Sequence, residues 1–459
     1  MPDDRGATET TTAFSDVASF VRGIAFADLP PDVALQATRC LLDLIGVAAA
    51  GTRTRASEIA RSYAASQLCG RDETARILFD GRRAGIAGAA FAGATTIDAV
   101  DGHDGHVLAK GHAGVTILPA LLALCDGADR EHGFDGREFL ACLTLGYEIA
   151  TRAGIAQHAS VPEYHCSGSW NSIGCAAIAA RFLSLDEART REALGIAEYF
   201  GPRGQMLRTC ESPSMVKDGS GSGAYAGITA AWLAREGYTG APAATVESAD
   251  ARQYWTDLGA RWRIREQYFK AYPVCRWAQP AVEAALALQR AHRFAAEDIV
   301  HISIESFREA IALGSRRSAP ETTEDAQYSL SYPVAAVLVF GVLGAEEIAV
   351  PKLAEPRVRR LLGLMVLTEN ADFSRLFPAE RWARVEIVLN DGRKLVSEPA
   401  CARGNPENAL TDAELRVKYF ELAEPVLGQP RAQRIERLVS ELRHGDALNE
   451  LLEELLQPA

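Results

Sequence analysis

The sequence predicts a mainly α protein, in which a large all-helical domain carries an inserted, smaller α+β domain. Apolar residues recur at helical spacing through the first two-thirds of the chain and again at its end. Alternation at period two is confined to two short stretches, residues 299–307 and 384–396. Those two patterns place both chain ends, 1–275 and 403–459, in the helical domain and 276–402 in the small one.

Each element has a local reason. LQATRCLLDLIGVAAAG sets Leu41, Leu42, Ile45, Val47 and Ala48 at helical spacing and stops at Gly51, a suitable C-cap. VTILPALLALCDG, GREFLACLTLGYEIATRAG, SIGCAAIAARFLSL and AYAGITAAWLAREG repeat the pattern. Their Ala, Gly and Ser content allows close packing and burial on most faces. IVHISIESF (299–307) alternates as a half-buried strand, and RVEIVLNDGRKLV (384–396) alternates and turns at Asn390, Asp391 and Gly392, a hairpin signal. Residues 332–343 and 358–365 between them read as helical, as do DAELRVKYFELAEPVLG and AQRIERLVSELRHGDALNELLEELL at the end.

Composition narrows the function. The 459 residues are 48% hydrophobic, which excludes wholesale disorder, and carry 48 basic against 60 acidic side chains. A net charge of −12 without a basic stripe argues against nucleic acid and anionic membranes as partners. The start, MPDDRGATETTTAFSD, is polar where a secretory leader would be basic and then apolar, and no uninterrupted apolar run has the length of a membrane span. The nine cysteines are scattered without a CxxC pair and read as small buried hydrophobes. The expectation is a cytoplasmic protein in a reducing compartment.

Six of the nine histidines lie between positions 103 and 165. The densest stretch runs Asp98, Asp101, His103, Asp104, His106, Lys110, His112, with glycines between them that mark a loop. Asp and His at such spacing suit a metal, though no HExxH-type motif is present. They equally suit acid–base chemistry, or for His103 and His106 a solvated surface loop. His112 stands directly before an apolar helix, which can hold it against the interior.

His165 opens another helix, whose free N–H groups suit a carboxylate ligand or are merely closed by the imidazole. Lys217 precedes Gly-Ser-Gly-Ser-Gly; the order is wrong for a nucleotide loop, but it makes an anion subsite. Lys270 and Arg276 flank Tyr-Pro-Val-Cys where the domains meet, and Arg276 can grip a carboxylate. Cys275 has no neighbour to activate it and reads as packing. Cations that hold carboxylates, next to His and Asp that move protons, suit cofactor-free proton transfer beside a carboxylate. Dinucleotide, metal and Ser-His-Asp signatures are missing.

These same stretches resemble the MmgE/PrpD family, which includes 2-methylcitrate dehydratase, cis-aconitate decarboxylase and iminodisuccinate epimerase. Ile97-Asp98-Ala-Val-Asp101 is similar to its LDFDD stretch, His112-Ala-Gly to its HP(S/G) element, and His165-Cys-Ser-Gly-Ser-Trp to its HxTG helix start. Met215-Val-Lys217 resembles its MxK block, Lys270-Ala-Tyr-Pro-Val-Cys-Arg276 its KxYPxCR motif, and Ser329-Leu-Ser-Tyr332 its SxxY element. Gly404-Asn-Pro-Glu-Asn with Lys418-Tyr-Phe is similar to its GxPxNPLT…KF segment, so the likeness spans nearly the whole chain.

The resemblance implies a homodimer with no metal or organic cofactor and an interdomain site for small di- or tricarboxylates. It points to Asp98, His112, His165, Lys217 and Tyr332 as catalytic. Arg276, Lys270, Asp101, Gln279 and His103 are expected to bind substrate. Three positions depart from the family pattern: Gln279 replaces a His, Val100 replaces an Asp, and the block after Lys217 lacks its His. The function expected is a lyase or isomerase of dehydratase, decarboxylase or epimerase type. The alternatives are a catalytically silent carboxylate binder, motivated by Gln279 and Val100, and a metal-dependent hydrolase using loop 98–112.

Overall fold

The computed structural model describes residues 16–128, 134–314 and 319–459. The reading of the chain's polar start rests chiefly on residues 1–15, which lie outside the described ones. Helix Pro31–Gly51 runs through the first core, buried along most of its length. By length and composition alone it could cross a membrane, but its apolar surface is covered here by other helices. Helix Asp412–Leu427 lies along it so closely that a Cβ on Gly46 would come within 3.2 Å of the Tyr419 ring. The Tyr419 hydroxyl donates to the Ala432 carbonyl at 2.9 Å, tying in the next helix. One apolar core therefore contains residues from Val17 to Leu456, joining the two ends of the chain.

Small residues set the spacing of the central helices. Gly168–Phe182 and Ser220–Arg235 cross where a Cβ on Gly223 would stand 2.5 Å from the Gly168 carbonyl oxygen, and one on Gly227 2.3 Å from that of Ser172. Only hydrogen fits at either place. This contact fixes the turn 217–219 that opens the second helix, and so connects packing to the site described below.

A second core gathers around a five-stranded sheet. Strand Ile299–Ser306 pairs parallel with Met365–Glu369 and antiparallel with Trp382–Leu389, setting Ile302 opposite Ile387 and Ile304 opposite Val385. The expected hairpin forms: Trp382–Leu389 returns as Lys394–Val396, with Gly392 at φ 88 in the turn. Strand Met365–Glu369 departs from the expected helix over 358–365; the helix is Pro356–Leu362, and the strand opens on the unbroken apolar run Met365-Val366-Leu367, which shows no period of two in sequence. The second core begins at Tyr272, before the expected border at Arg276, and takes in Cys166 and Met206 from the helical half. The stretch from Lys270 to Arg276 is thus the seam between the cores.

Gly227→Ala should overpack the helix crossing and destabilise the protein by about 1–3 kcal/mol in denaturant unfolding. Gly363→Ala, where a Cβ meets nothing closer than 3.5 Å, should cost far less.

Candidate active site

Helix Ile86–Asp98 ends where the histidine-rich loop begins, and the loop folds inward instead of into solvent. His103 and Asp104 are fully buried and His106 is 2% exposed, so the surface-loop reading fails for both histidines. His106 is a structural pin: Nδ1 accepts the Ala109 N–H at 3.2 Å, which leaves Nε2 to donate to Glu266 at 2.9 Å. Gly105 must be glycine, because a Cβ there would lie 2.6 Å from Nδ1 of His112.

His112 is held at three points. Its N–H donates to Ser167 Oγ at 3.1 Å, its carbonyl accepts Asn171 Nδ2 at 2.7 Å, and its Nδ1 meets the Asp104 carbonyl at 2.5 Å. A carbonyl only accepts, so Nδ1 carries the proton and Nε2 keeps its lone pair. His103 packs edge-on against this ring at 4.4 Å, and Tyr268 at 6.2 Å. Burial, then the Lys270 charge, pushes the His112 pKa down to about 3. The imidazole is a neutral base at operating pH.

Fixed charge surrounds it. The Lys270 ammonium donates to Asp101 Oδ1 at 2.8 Å and to its carbonyl at 3.0 Å, with both side chains almost wholly buried. Against the opposing effect of burial, Lys270 and then Lys217 hold the Asp101 carboxyl well below the usual range. Lys217 donates to Gln327 Oε1, and Gln327 donates onward to the Ala99 carbonyl at 2.9 Å. Asp98 accepts from Ser220 at 2.7 Å and stands 3.5 Å from His103 Nε2. Asp101, Lys110 and Lys217 all adopt positive φ (57, 52 and 46), an uncommon conformation for side-chain-bearing residues that clusters at functional sites.

Arg276 lies over the Tyr268 ring at 4.5 Å. It donates to the Arg403 carbonyl at 2.7 Å, to Asn405 Oδ1 at 2.5 Å and to Gln279 Oε1 at 2.9 Å. No carboxylate pairs with it among the described residues.

A cavity of about 40 Å³ opens at the seam among these groups. It brings together His112, Asp101, Lys270 and Arg276 from the expected set. Asp98, Lys217 and His103 stand behind its wall, in the charge network but not on its surface, and His103 packs against His112. Gln279 is fully buried and also outside the cavity: its amide donates to the Tyr272 and Val274 carbonyls and accepts from Arg276, which it orients.

His165 is likewise absent from the lining. It forms an extended bridge with Gln205, and neighbours along an extended chain face opposite ways, so Tyr164 enters the cavity while the His165 N–H meets His158. The Tyr332 hydroxyl donates to the Glu347 carbonyl at 2.5 Å, away from the cavity, and Tyr328 lines it instead. The free helix N-terminus expected after His165 is filled internally: Asp218 accepts from Ser167 N–H at 3.1 Å and Oγ at 2.7 Å.

The lining also includes Lys110 from the histidine-rich stretch, and Asp218, Tyr268, Tyr328 and Arg381, which had no sequence signal beyond residue type. Two ligand triads, Asp98–Asp101–His103 and Asp101–His112–Asp218, could each converge on a cation, with ligand atoms within 4.8 Å. Both depend on Asp101, whose carboxylate Lys270 already holds, and Lys217 acts on Asp98. A divalent ion would face two ammonium groups there, so the residues fit a metal poorly. A larger cleft of about 1150 Å³ runs between 341–351 and 413–426, lined also by Gln327 and Val100, and no histidine lines it.

Family models match this chain in two consecutive parts: the MmgE/PrpD N-terminal domain over residues 15–263 and the C-terminal domain over 272–444. The chain belongs to the MmgE/PrpD family. A cis-aconitate decarboxylase-like protein of Aspergillus oryzae is 26% identical across 95% of this chain and 96% of its own length. Human cis-aconitate decarboxylase is 24% identical across 93% of this chain and 90% of its own length. The 2-methylcitrate dehydratase of Cupriavidus necator is 25% identical across 61% of this MmgE/PrpD chain and 62% of its own length.

The His112 shift has a testable sign. Between pH 6.5 and 3 the unfolded imidazole binds a proton that the folded one refuses, so acidification through this window favours unfolding. Wild type should lose about 3 kcal/mol relative to His112→Asn between pH 7.5 and pH 4.5, read from denaturant midpoints. Tyr332→Phe should cost about 1 kcal/mol of stability and leave polycarboxylate binding unchanged, whereas Tyr328→Phe should weaken binding in calorimetry.

Proposed function

We propose that this chain is a lyase acting on a small tricarboxylate by proton transfer next to a carboxylate, with His112 Nε2 as the base. The observation that carries this reading is the neutral imidazole, fixed through Nδ1 to the Asp104 carbonyl, beside the buried Lys270 and the carboxylate-free Arg276. Removing the proton pushes electron pairs onto the adjacent carboxylate, and the resulting enediolate needs fixed positive charge. Lys270 and Arg276 supply it on the cavity surface, and Lys217 adds its charge from behind. Ground-state carboxylates gain less from them than the doubly charged enediolate does, which is the difference that accelerates the step.

The reading requires no organic cofactor or metal, since the protein's own cations meet the charge that develops. The names of the relatives support a tricarboxylate as substrate. A cavity of about 40 Å³ admits about one water, so binding a tricarboxylate requires its two walls to part. One wall comes from His112 and Asp218 in the helical half, the other from Trp277 and Arg381 beside the second core. Gln279, which motivated a silent binder, sits behind Arg276 and takes no titrating group away from the cavity surface.

The test is turnover and α-deuterium incorporation in D₂O, followed by NMR, with cis-aconitate, 2-methylcitrate and related acids. At least one should react, and His112→Asn should slow it by about 10²–10⁴-fold. If none exchanges or turns over faster than that variant, the mechanism is wrong; tight binding without exchange would make the chain a carboxylate binder.

A further inference from the structure

The small domain places on the cavity one cation that no described residue neutralises. Arg381 lies just before strand Trp382–Leu389, so its backbone is fixed by the sheet. Its guanidinium stands 5.9 Å from the centre of the Phe377 ring. Phe377 is itself stacked on Phe307 at 4.9 Å and braced edge-on by Trp277 at 5.6 Å. Arg381 is therefore mounted on a rigid aromatic base instead of swinging free.

Among the described residues it makes no hydrogen bond and no ion pair, and its Nε is buried without an acceptor. The neighbouring Glu380 does not serve it, because that carboxylate takes the Trp382 indole N–H at 2.7 Å. A buried guanidinium donor without an acceptor is costly and calls for a partner. Arg276 raises the cost, being a second guanidinium close enough for Arg381 to depress its pKa, after burial and against Tyr268. Four cations (Lys110, Lys270, Arg276, Arg381) line the cavity against two carboxylates, Asp101 and Asp218. Asp101 belongs to Lys270 and Asp218 to Ser167. What is missing is an external carboxylate.

We propose that Arg381 is the specificity residue for the substrate carboxylate farthest from the reacting carbon, gripping it side-on through Nε and one Nη. This deepens the reading of the site given above and rests on it. His112 acts from the helical wall, and Arg381 reads the far end of the substrate from the other wall. A third carboxylate thus earns binding only when both walls close on one molecule.

Calorimetry with cis-aconitate and itaconate tests this, because the proton next to a carboxylate in cis-aconitate lies on its CH₂COO⁻ arm, and itaconate keeps that arm but lacks the far carboxylate on the vinylic CH. Wild type should bind cis-aconitate more tightly. Arg381→Gln should raise the Kd for cis-aconitate about 10- to 100-fold and leave that for itaconate within about twofold, which also reports an intact fold. Arg381→Lys should recover part of the loss. Equal weakening of both ligands by Arg381→Gln, or no weakening of either, overturns the proposal and leaves the proposed lyase site standing. Failure of wild type to bind either acid overturns both.

Discussion

The buried pair between Lys270 and Asp101 is the contact on which the rest of the site depends. It joins the seam segment of the second core to the loop that follows helix Ile86–Asp98, and solvent reaches almost none of either side chain. A buried ion pair is held together by the penalty for losing one member, typically about 3–5 kcal/mol. That penalty keeps Asp101 at its positive φ and so sets the course of the loop toward His112. The pair also sets the local field. Its ammonium end adds to burial in keeping both His103 and His112 neutral.

The same economy explains how a chain with a net charge of −12 can present a cationic cavity. Charge is organised locally: Asp101 is assigned to Lys270 and Asp218 to Ser167, while Arg276 and Arg381, which face the cavity, are left with carbonyls, amides or nothing among the described residues. Helix packing underwrites the arrangement. The glycine contacts between Gly168–Phe182 and Ser220–Arg235 bring the turn holding Lys217 and Asp218 against the helix start at Ser167, where Asp218 closes the free N–H groups. Sub-ångström crowding at Gly223 and Gly227 is thereby connected to the placement of the pocket's acidic wall.

Much of this was legible in the sequence because period and residue type carry it. The Ala- and Gly-rich helices, the strand at 299–307 and the turn at Gly392 follow from local pattern. Lys270 and Arg276 declare themselves as cations in a seam motif. Side-chain direction is what the sequence withholds. Tyr328 caps one short helix and Tyr332 opens the next, and His165 is one residue from Tyr164; in each case packing decides which enters the cavity. Asp218 was masked by the glycines that follow it. Arg381 stands before a strand with no motif around it, and the fold brings it to the site. Gln279 read as a lost catalytic group because its neighbours in the fold, Arg276 and two seam carbonyls, are invisible in a string.

The central claim is that a neutral imidazole and unneutralised cations from two cores converge on one tricarboxylate. A crystal structure with cis-aconitate or a non-reacting tricarboxylate tests it most directly. The account predicts the ligand at the seam, with His112 Nε2 within about 3.5 Å of a carbon next to a carboxylate and Arg276 on a carboxylate oxygen. A ligand seated instead in the large cleft between 341–351 and 413–426, with His112 untouched, would contradict it.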